Sequence, residues 1–331
     1  MHEPLISIII PVLNGSKFLE RCFSTLEKQT YSNLEIIFID NGSSDDTKVK
    51  IESYCYKKKG IKLLNCSKLG PGAARNVGIK YASGEYISFL DVDDELLPEK
   101  HNVLMEGFNK YPEAGMVVGK AIKQFSDGRK LNLELGSLKK SINHPPSSGI
   151  LWLRHLMLNP VTCSYLVRSE ILQSNKIRFS GIPYGEDIAF NVLVGLKNNV
   201  LVVDKLVCTY HRHSQSSISI ANQNISSLER YFQFYEKFAL PYFYERRDKE
   251  PFNQAFKLSE RITFRMLMKL IFSSQQDYHS SYRTLTENSL LKDYKLFYRL
   301  FSLLPYKYAS YLFDIIHDIY PKKYYSYHGK Q

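Results

Sequence analysis

Hydrophobic residues in the first hundred positions alternate between two patterns. Leu5-Ile-Ser-Ile-Ile-Ile-Pro-Val12 is nearly continuous and β-branched, which suits a strand covered on both faces. Asn14-Gly-Ser16 interrupts it as a turn, and Ser16 suits a helix N-cap. Phe18, Leu19, Cys22, Phe23 and Leu26 then recur at helical spacing. Tyr31-Ser-Asn33 breaks that helix, and Leu34-Glu-Ile-Ile-Phe-Ile39 is a second buried strand. The alternation continues with a strand at Ile61–Asn65, a helix from the Gly70-Pro-Gly72 turn to about Ala82, a strand at Tyr86–Leu90 and a helix from Pro98. Strands alternating with helices predict an open α/β sheet with right-handed crossovers.

Further along, residues 120–150 are polar, with Asp127-Gly128 as a hairpin turn and His144–Gly149 as a loop. Trp152–Leu158 reads as a short helix and Val161–Val167 as a strand. Gly181-Ile-Pro-Tyr-Gly-Glu-Asp187 is a glycine turn that opens an apolar helix. Val200–Val203 and Lys205–Tyr210 are two short strands, followed by the donor-rich stretch His211–Ser219. Beyond Ala221 the pattern changes to helices, among them Ser226–Lys237 and Asn253–Phe272, which places a domain boundary near 220.

Open α/β sheets bind ligands beyond the carboxyl ends of their strands. The polar turns at Asn14, Asp40 and Asp91 all fall there. The Tyr86–Leu90 strand ends in Asp91, Asp93 and Asp94, and three carboxylates beside a core strand need water, cations or basic partners. An Asp-x-Asp turn suits a hard divalent ion such as Mg2+ or Mn2+, and it equally suits a solvated turn before a helix. Glu186 and Asp187 can do chemistry, or simply favour the positive N-terminus of the helix they open. Neither G-x-G-x-x-G after the first strand nor G-x-x-x-x-G-K-[ST] occurs, so a dinucleotide or P-loop site lacks support.

Composition sharpens this modestly. The 331 residues include 44% hydrophobic positions, 24 Tyr and 19 Phe, enough for a sizeable core. Five cysteines without a C-x-x-C pair point to reduced thiols in the cytoplasm, not to a disulfide scaffold or zinc site. Met1–Pro11 lacks the basic start of a signal peptide, and no window reaches the length of a membrane span. The formal net charge of +11 admits nucleic acid, anionic lipid or small anions as partners.

Taken in order, Ser7-Ile-Ile-Ile-Pro-Val-Leu-Asn14, Glu35-Ile-Ile-Phe-Ile-Asp-Asn-Gly-Ser-Ser-Asp45, Gly70-Pro-Gly-Ala-Ala-Arg-Asn-Val-Gly78, Ser83–Asp94 and Gly185-Glu-Asp187 resemble a family 2 glycosyltransferase. The resemblance covers roughly residues 4–220 and is to enzymes of bacterial cell-surface polysaccharides. It implies the GT-A fold, a Rossmann-like open twisted sheet flanked by helices, followed here by a helical extension over 221–331. Leu13 departs from the pattern, since the family often has Tyr there to help hold a nucleobase.

The resemblance implies an inverting transfer from a nucleotide sugar, UDP-linked, to a hydroxyl of a glycan or lipid-linked acceptor. Pro11, Val12, Asn14, Asp40, Arg75, Asp91, Asp93, Asp94 and Arg212 are its implied donor-binding residues. Asp40 suits the imide N–H of uracil. Asp91 and Asp93, with His211 or His213, are the implied ligands of a Mn2+ or Mg2+ ion that neutralises the leaving diphosphate. Asp187 is the implied base, with Glu186 orienting it, or the two in exchanged roles. Arg212 pairs with phosphate, and Ser217-Ile-Ser219 matches a family motif.

Residues 251–331 hold 12 Lys/Arg against 6 Asp/Glu, and Leu296–Pro305, Tyr308–Ile316 and Tyr320–Tyr325 mix aromatics with basic residues. They suit a helix packed on the catalytic domain, or one touching the cytoplasmic face of the inner membrane. Two other readings stay open: a sugar-phosphate nucleotidyltransferase, and a non-catalytic binder of glycan or nucleic acid. The first lacks its glycine-rich loop after the first strand. The second leaves Asp40, Asp91, Asp93 and Asp187 misplaced against a phosphate backbone, so no nucleic-acid partner is expected.

Overall fold

The computed structural model describes residues 3–58, 60–214 and 226–273. Every site residue considered below lies in the first of two compact units, Met1–Ser259; the second is Glu260–Gln331. The first half alternates as expected: β1 (Ile6–Val12), α1 (Leu19–Glu27), β2 (Leu34–Asp40), α2 (Thr47–Lys57), β3 (Ile61–Asn65), α3 (Pro71–Tyr81) and β4 (Tyr86–Phe89). A two-residue strand β5 (Glu95–Leu96) and α4 (Lys100–Lys110) follow.

These first four strands are parallel, in the order β3-β2-β1-β4. Every residue of β1 is buried, which is why its sequence is continuously apolar where a one-sided strand would alternate. Val12 pairs with Asp40, and Asp40 with Asn65, so the strands end level with one another. The polar turns after them share one edge.

The sheet continues through β9 (Tyr165–Arg168), β6 (Met116–Phe125) and β10 (Val200–Arg212) to β5. β9 runs antiparallel to both β4 and β6, whereas β10 runs parallel to β6. β7 (Lys130–Leu133) pairs with β6, and β8 (Ile142–Asn143) with β10. The Asp127-Gly128 turn indeed joins a hairpin, β6 to β7, with Gly128 at φ 86°.

Four local expectations need correction. Ser16 does not cap a helix with its side chain but is the first residue of a 3-10 turn, Ser16–Phe18, that leads into α1. The helix expected over Trp152–Leu158 is α5 (Ser147–Arg154) plus a separate 3-10 turn at Leu156–Leu158. The strand expected over Val161–Val167 begins at Tyr165, after a 3-10 turn at Thr162–Ser164. The two strands read at 200–210 are one, because β10 keeps its pairing with β6 across register shifts between Val202 and Cys208.

After α6 (Ser169–Ser174) the glycine turn opens α7 (Glu186–Lys197) as expected. Gly185 is its N-cap at φ 82°, a left-handed conformation that side chains avoid. Phe234, from the helix Ser227–Phe234, packs against that turn. The helices that begin after position 220 therefore start within the same unit as the sheet. Among the described residues no helix is long and apolar enough to cross a membrane.

Candidate active site

One buried cation gathers acids from distant parts of the chain. Arg75, on the second turn of α3, places Nη2 2.6 Å from Asp91 Oδ1 and Nη1 3.0 Å from Glu186 Oε1. Its guanidinium lies 5.1 Å above the Phe179 ring centroid. Burial disfavours the charge, but Asp91 and Glu186 outweigh it and hold Arg75 ionised. The end of β4 and the start of α7 are thus joined across α3. Thr162 adds a hydrogen bond from Oγ1 to Asp91 Oδ2 at 3.3 Å.

The three aspartates have three different environments. Asp91 is half-buried and faces Arg75. Asp93 Oδ2 lies 2.8 Å from His213 Nε2, while its carbonyl accepts from Arg21 Nη2. Asp94 is buried, accepting from the His211 backbone N–H at 2.9 Å and from the Cys163 thiol at 3.4 Å. Burial, together with Cys163 and the charges of Asp93 and Asp91, pushes the Asp94 carboxyl well above the usual range. Asp94 therefore ties β10 to the acidic turn from beneath.

His211 and His213 part company. The His211 ring sits 3.1 Å from Glu95, and burial beside Arg21 lowers its pKa. The His213 ring turns to Asp93 and lies 4.8 Å from the Phe18 ring. Arg212 ends β10 between them. An open cavity of about 460 Å³ lies against this side, lined by Lys17, Phe18, Arg21, His213 and Ser214.

The other edge of the site is sewn by turn hydrogen bonds. Asp40, buried at the end of β2, accepts from the Ser43 N–H at 3.2 Å. Asn14 adopts φ 49°, accepts from the Ser44 N–H at 2.8 Å and donates its own N–H to Ser43 Oγ at 2.9 Å. Asparagine tolerates this left-handed geometry better than most residues. Pro11 and Val12 are buried just before it, and Leu13 is half exposed.

Glu186 and Asp187 are the first two residues of α7. Burial and the neighbouring Asp187 raise the Glu186 carboxyl to about 7, against the pull of Arg75. Burial also raises Asp187, with Arg75 opposing. Asp187 Oδ1 accepts from the Ile188 N–H at 2.9 Å. A pair of buried carboxyls, both raised and one of them to about 7, is suited to proton transfer.

Arg75, Asp91, Glu186 and Asp187 form one cluster, and Asp93 with His213 a second beside it. Sequence reasoning singled out none of Arg21, Thr162, Cys163 and Phe179. Nor did it single out Asn41, whose amide donates to the carbonyls of Cys66 and Lys68 and whose Oδ1 accepts from the Gly70 N–H. Its position directly after Asp40, at the same strand end, was the available signal. Thr162 and Cys163 lie in a segment that reads as a strand and offers none. The Ser217-Ile-Ser219 motif lies outside the described residues.

The acids at the ends of β2 and β4 lie along one edge of an open α/β sheet, and Arg75 ties the second of them to the start of α7. Residues 7–173 match the family described as Glycosyl transferase family 2, and the chain belongs to that family. A Haemophilus influenzae uncharacterised glycosyltransferase is 31% identical over 69% of this chain and 84% of its own length. A Rickettsia felis uncharacterised glycosyltransferase is 30% identical over 62% of this chain, but the match spans only 32% of that protein. Staphylococcus aureus TarS, crystallised with UDP-GlcNAc, shares the fold at TM-score 0.62 and 18% identity, covering 85% of this chain and 79% of that one. The Pyrobaculum calidifontis mannosyltransferase PcManGT, in complex with GDP-Man and Mn2+, covers 94% of this chain and 87% of its own at TM-score 0.50 and 14% identity. The expected family and its GT-A fold stand.

Proposed function

We propose that this glycosyltransferase moves a hexosyl or N-acetylhexosaminyl group from a UDP-sugar to a hydroxyl of a glycan or lipid-linked acceptor, with inversion, in bacterial surface polysaccharide synthesis. The observation that carries the reading is Arg75 holding Asp91 and Glu186 together, which sets a donor-side carboxylate beside two buried acids whose carboxyls are raised. The TarS complex with UDP-GlcNAc supports UDP as the nucleotide.

Each residue then has a task. Asp40 accepts from the uracil imide, and Pro11, Val12 and Asn14 shape that edge. Arg75 fixes Asp91 toward the donor. Asp187 takes the acceptor proton as the hydroxyl attacks the anomeric carbon, and Glu186 orients it. One displacement inverts that carbon, so an α-linked donor gives a β-linked product.

A divalent cation fits the second cluster. Asp93 and His213 already offer a carboxylate oxygen and an imidazole nitrogen, with His213 lining an open cavity, a mixed set suited to Mn2+. Among the described residues no three such side chains converge, so phosphate oxygens and water complete any shell. Asp91 would join from the donor side; His211, set against Glu95, is the less suited of the two histidines. The ion supplies charge neutralisation for the departing diphosphate.

Residues 1–220 are assigned to catalysis, and 221–331 to acceptor, oligomer or membrane-surface contacts. The basic aromatic stretch over 290–331 lies outside the described residues, and the membrane assignment rests on its composition alone. The test is a screen of nucleotide sugars for binding and UDP release, with and without Mn2+. Metal-stimulated UDP release with one donor supports the reading. Equal failure of all donors to bind contradicts it.

A further inference from the structure

The acidic cluster contains a polar group that the proposed chemistry leaves idle. Tyr165 opens β9, is fully buried, and its hydroxyl has no hydrogen-bond partner among the described residues. A buried tyrosine hydroxyl ordinarily finds one, because an unmade bond forfeits the hydration the group gave up. Arg75 Nε, in the same cluster, is likewise without a partner among the described residues.

The ring is held firmly. It stands edge-on to Phe89, with centroids 6.1 Å apart, and nearly parallel to Phe190 at 6.5 Å and 13°. Phe190 follows Asp187 by three residues on α7, and residues three apart share a helix face. Tyr165 therefore lies along the face of α7 that carries Asp187. The charges acting on its hydroxyl come from Arg75 on α3, Asp187 on α7 and Asp91 at the end of β4, with Cys163 from its own segment. Burial keeps the phenol protonated, so it is a donor awaiting an acceptor.

Asp91 already engages both oxygens, with Arg75 and Thr162. Asp187 engages Oδ1 with the Ile188 N–H. Resting on the reading of Asp187 as the base, we propose that Tyr165 is its positioning residue: the hydroxyl donates to the Asp187 carboxylate in the donor-bound enzyme and fixes the oxygen that receives the acceptor proton.

Tyr165→Phe removes the hydroxyl and keeps the ring stack, so the fold and Tm are retained. With the donor found by the nucleotide-sugar screen, kcat falls about tenfold while the donor KM stays within twofold. With UDP and Mg2+ bound, carboxyl NMR places the Asp187 midpoint, assigned by its loss in Asp187→Asn, at higher pH in Tyr165→Phe, because a donor to the charged form is gone. This second readout needs no turnover. An unmoved midpoint, or a kcat within twofold of wild type while Asp187→Asn abolishes transfer, overturns the role of Tyr165 alone. Transfer that survives in Asp187→Asn overturns the base assignment and this inference with it.

Discussion

At the scale of single residues, the site works by opposing burial against charge. Arg75→Met leaves Asp91 and Glu186 beside a core without their cation, a change that costs roughly 3–5 kcal/mol in buried pairs. The expected result is a clear drop in Tm together with loss of transfer; an unchanged Tm would show that the bridge is not formed in solution. Glu186 gives a signed pH effect. Its folded carboxyl is raised from 4.5 to about 7, so protonation stabilises the fold fully below about 4.5, and that stability is lost as pH rises through 7. Relative to Glu186→Gln, the wild type should therefore lose on the order of 2–3 kcal/mol between pH 4.5 and 8, read from denaturant curves at each pH. Protonation of Asp187, whose carboxyl burial also raises, gives kcat/KM an acid limb above the usual carboxylate range. Asp91, Asp93, Glu186 and Asp187 were legible in the sequence because acids next to apolar strands and at glycine turns need a reason. Thr162, Cys163 and Tyr165 were not, since each sits in a segment that reads as a strand, where a small polar or aromatic side chain reads as core.

At the scale of elements, α3 carries the argument, because Arg75 reaches the cluster only if the helix lies close on the sheet. A Cβ on Gly78 would fall 2.3 Å from Ile9 Cγ2 and 3.1 Å from Ile39 Cδ1, so the helix touches β1 and β2 at that glycine. Gly78→Val should push α3 outward, lowering stability by about 1–3 kcal/mol and transfer by more than the Tm change explains. Calorimetry and turnover on the same sample separate the two effects. The parallel half of the sheet followed from continuous apolar runs and short turns. The antiparallel insertion of β9 between β4 and β6 did not, because strand order across a sheet is set by long-range pairing that local periodicity does not encode. β6 was hidden for a simpler reason: its second half, Lys120–Phe125, is mixed in polarity and sits at the entrance to a polar hairpin.

At the scale of the whole molecule, one sheet edge collects chemistry from residues 14 to 213, which no single motif could announce. The family motifs succeeded because their order along the chain maps onto parallel strand ends. The sequence could not assign a role to the cavity beside Phe18, whose lining is brought together as the 3-10 turn Ser16–Phe18 and the start of α1 approach the end of β10. If Asp93 and His213 take a cation there, Mn2+ titrated with UDP should bind the wild type and bind Asp93→Asn at least tenfold more weakly by calorimetry; equal affinity would remove Asp93 from the ligand set. The central claim is transfer from a nucleotide sugar with Asp187 as base. Its most direct test is UDP release and product formation by wild type and Asp187→Asn, with UDP affinity measured alongside. The wild type should turn over, while Asp187→Asn should bind UDP as well yet transfer at least about a hundredfold more slowly. Wild-type transfer rates in Asp187→Asn would contradict the mechanism.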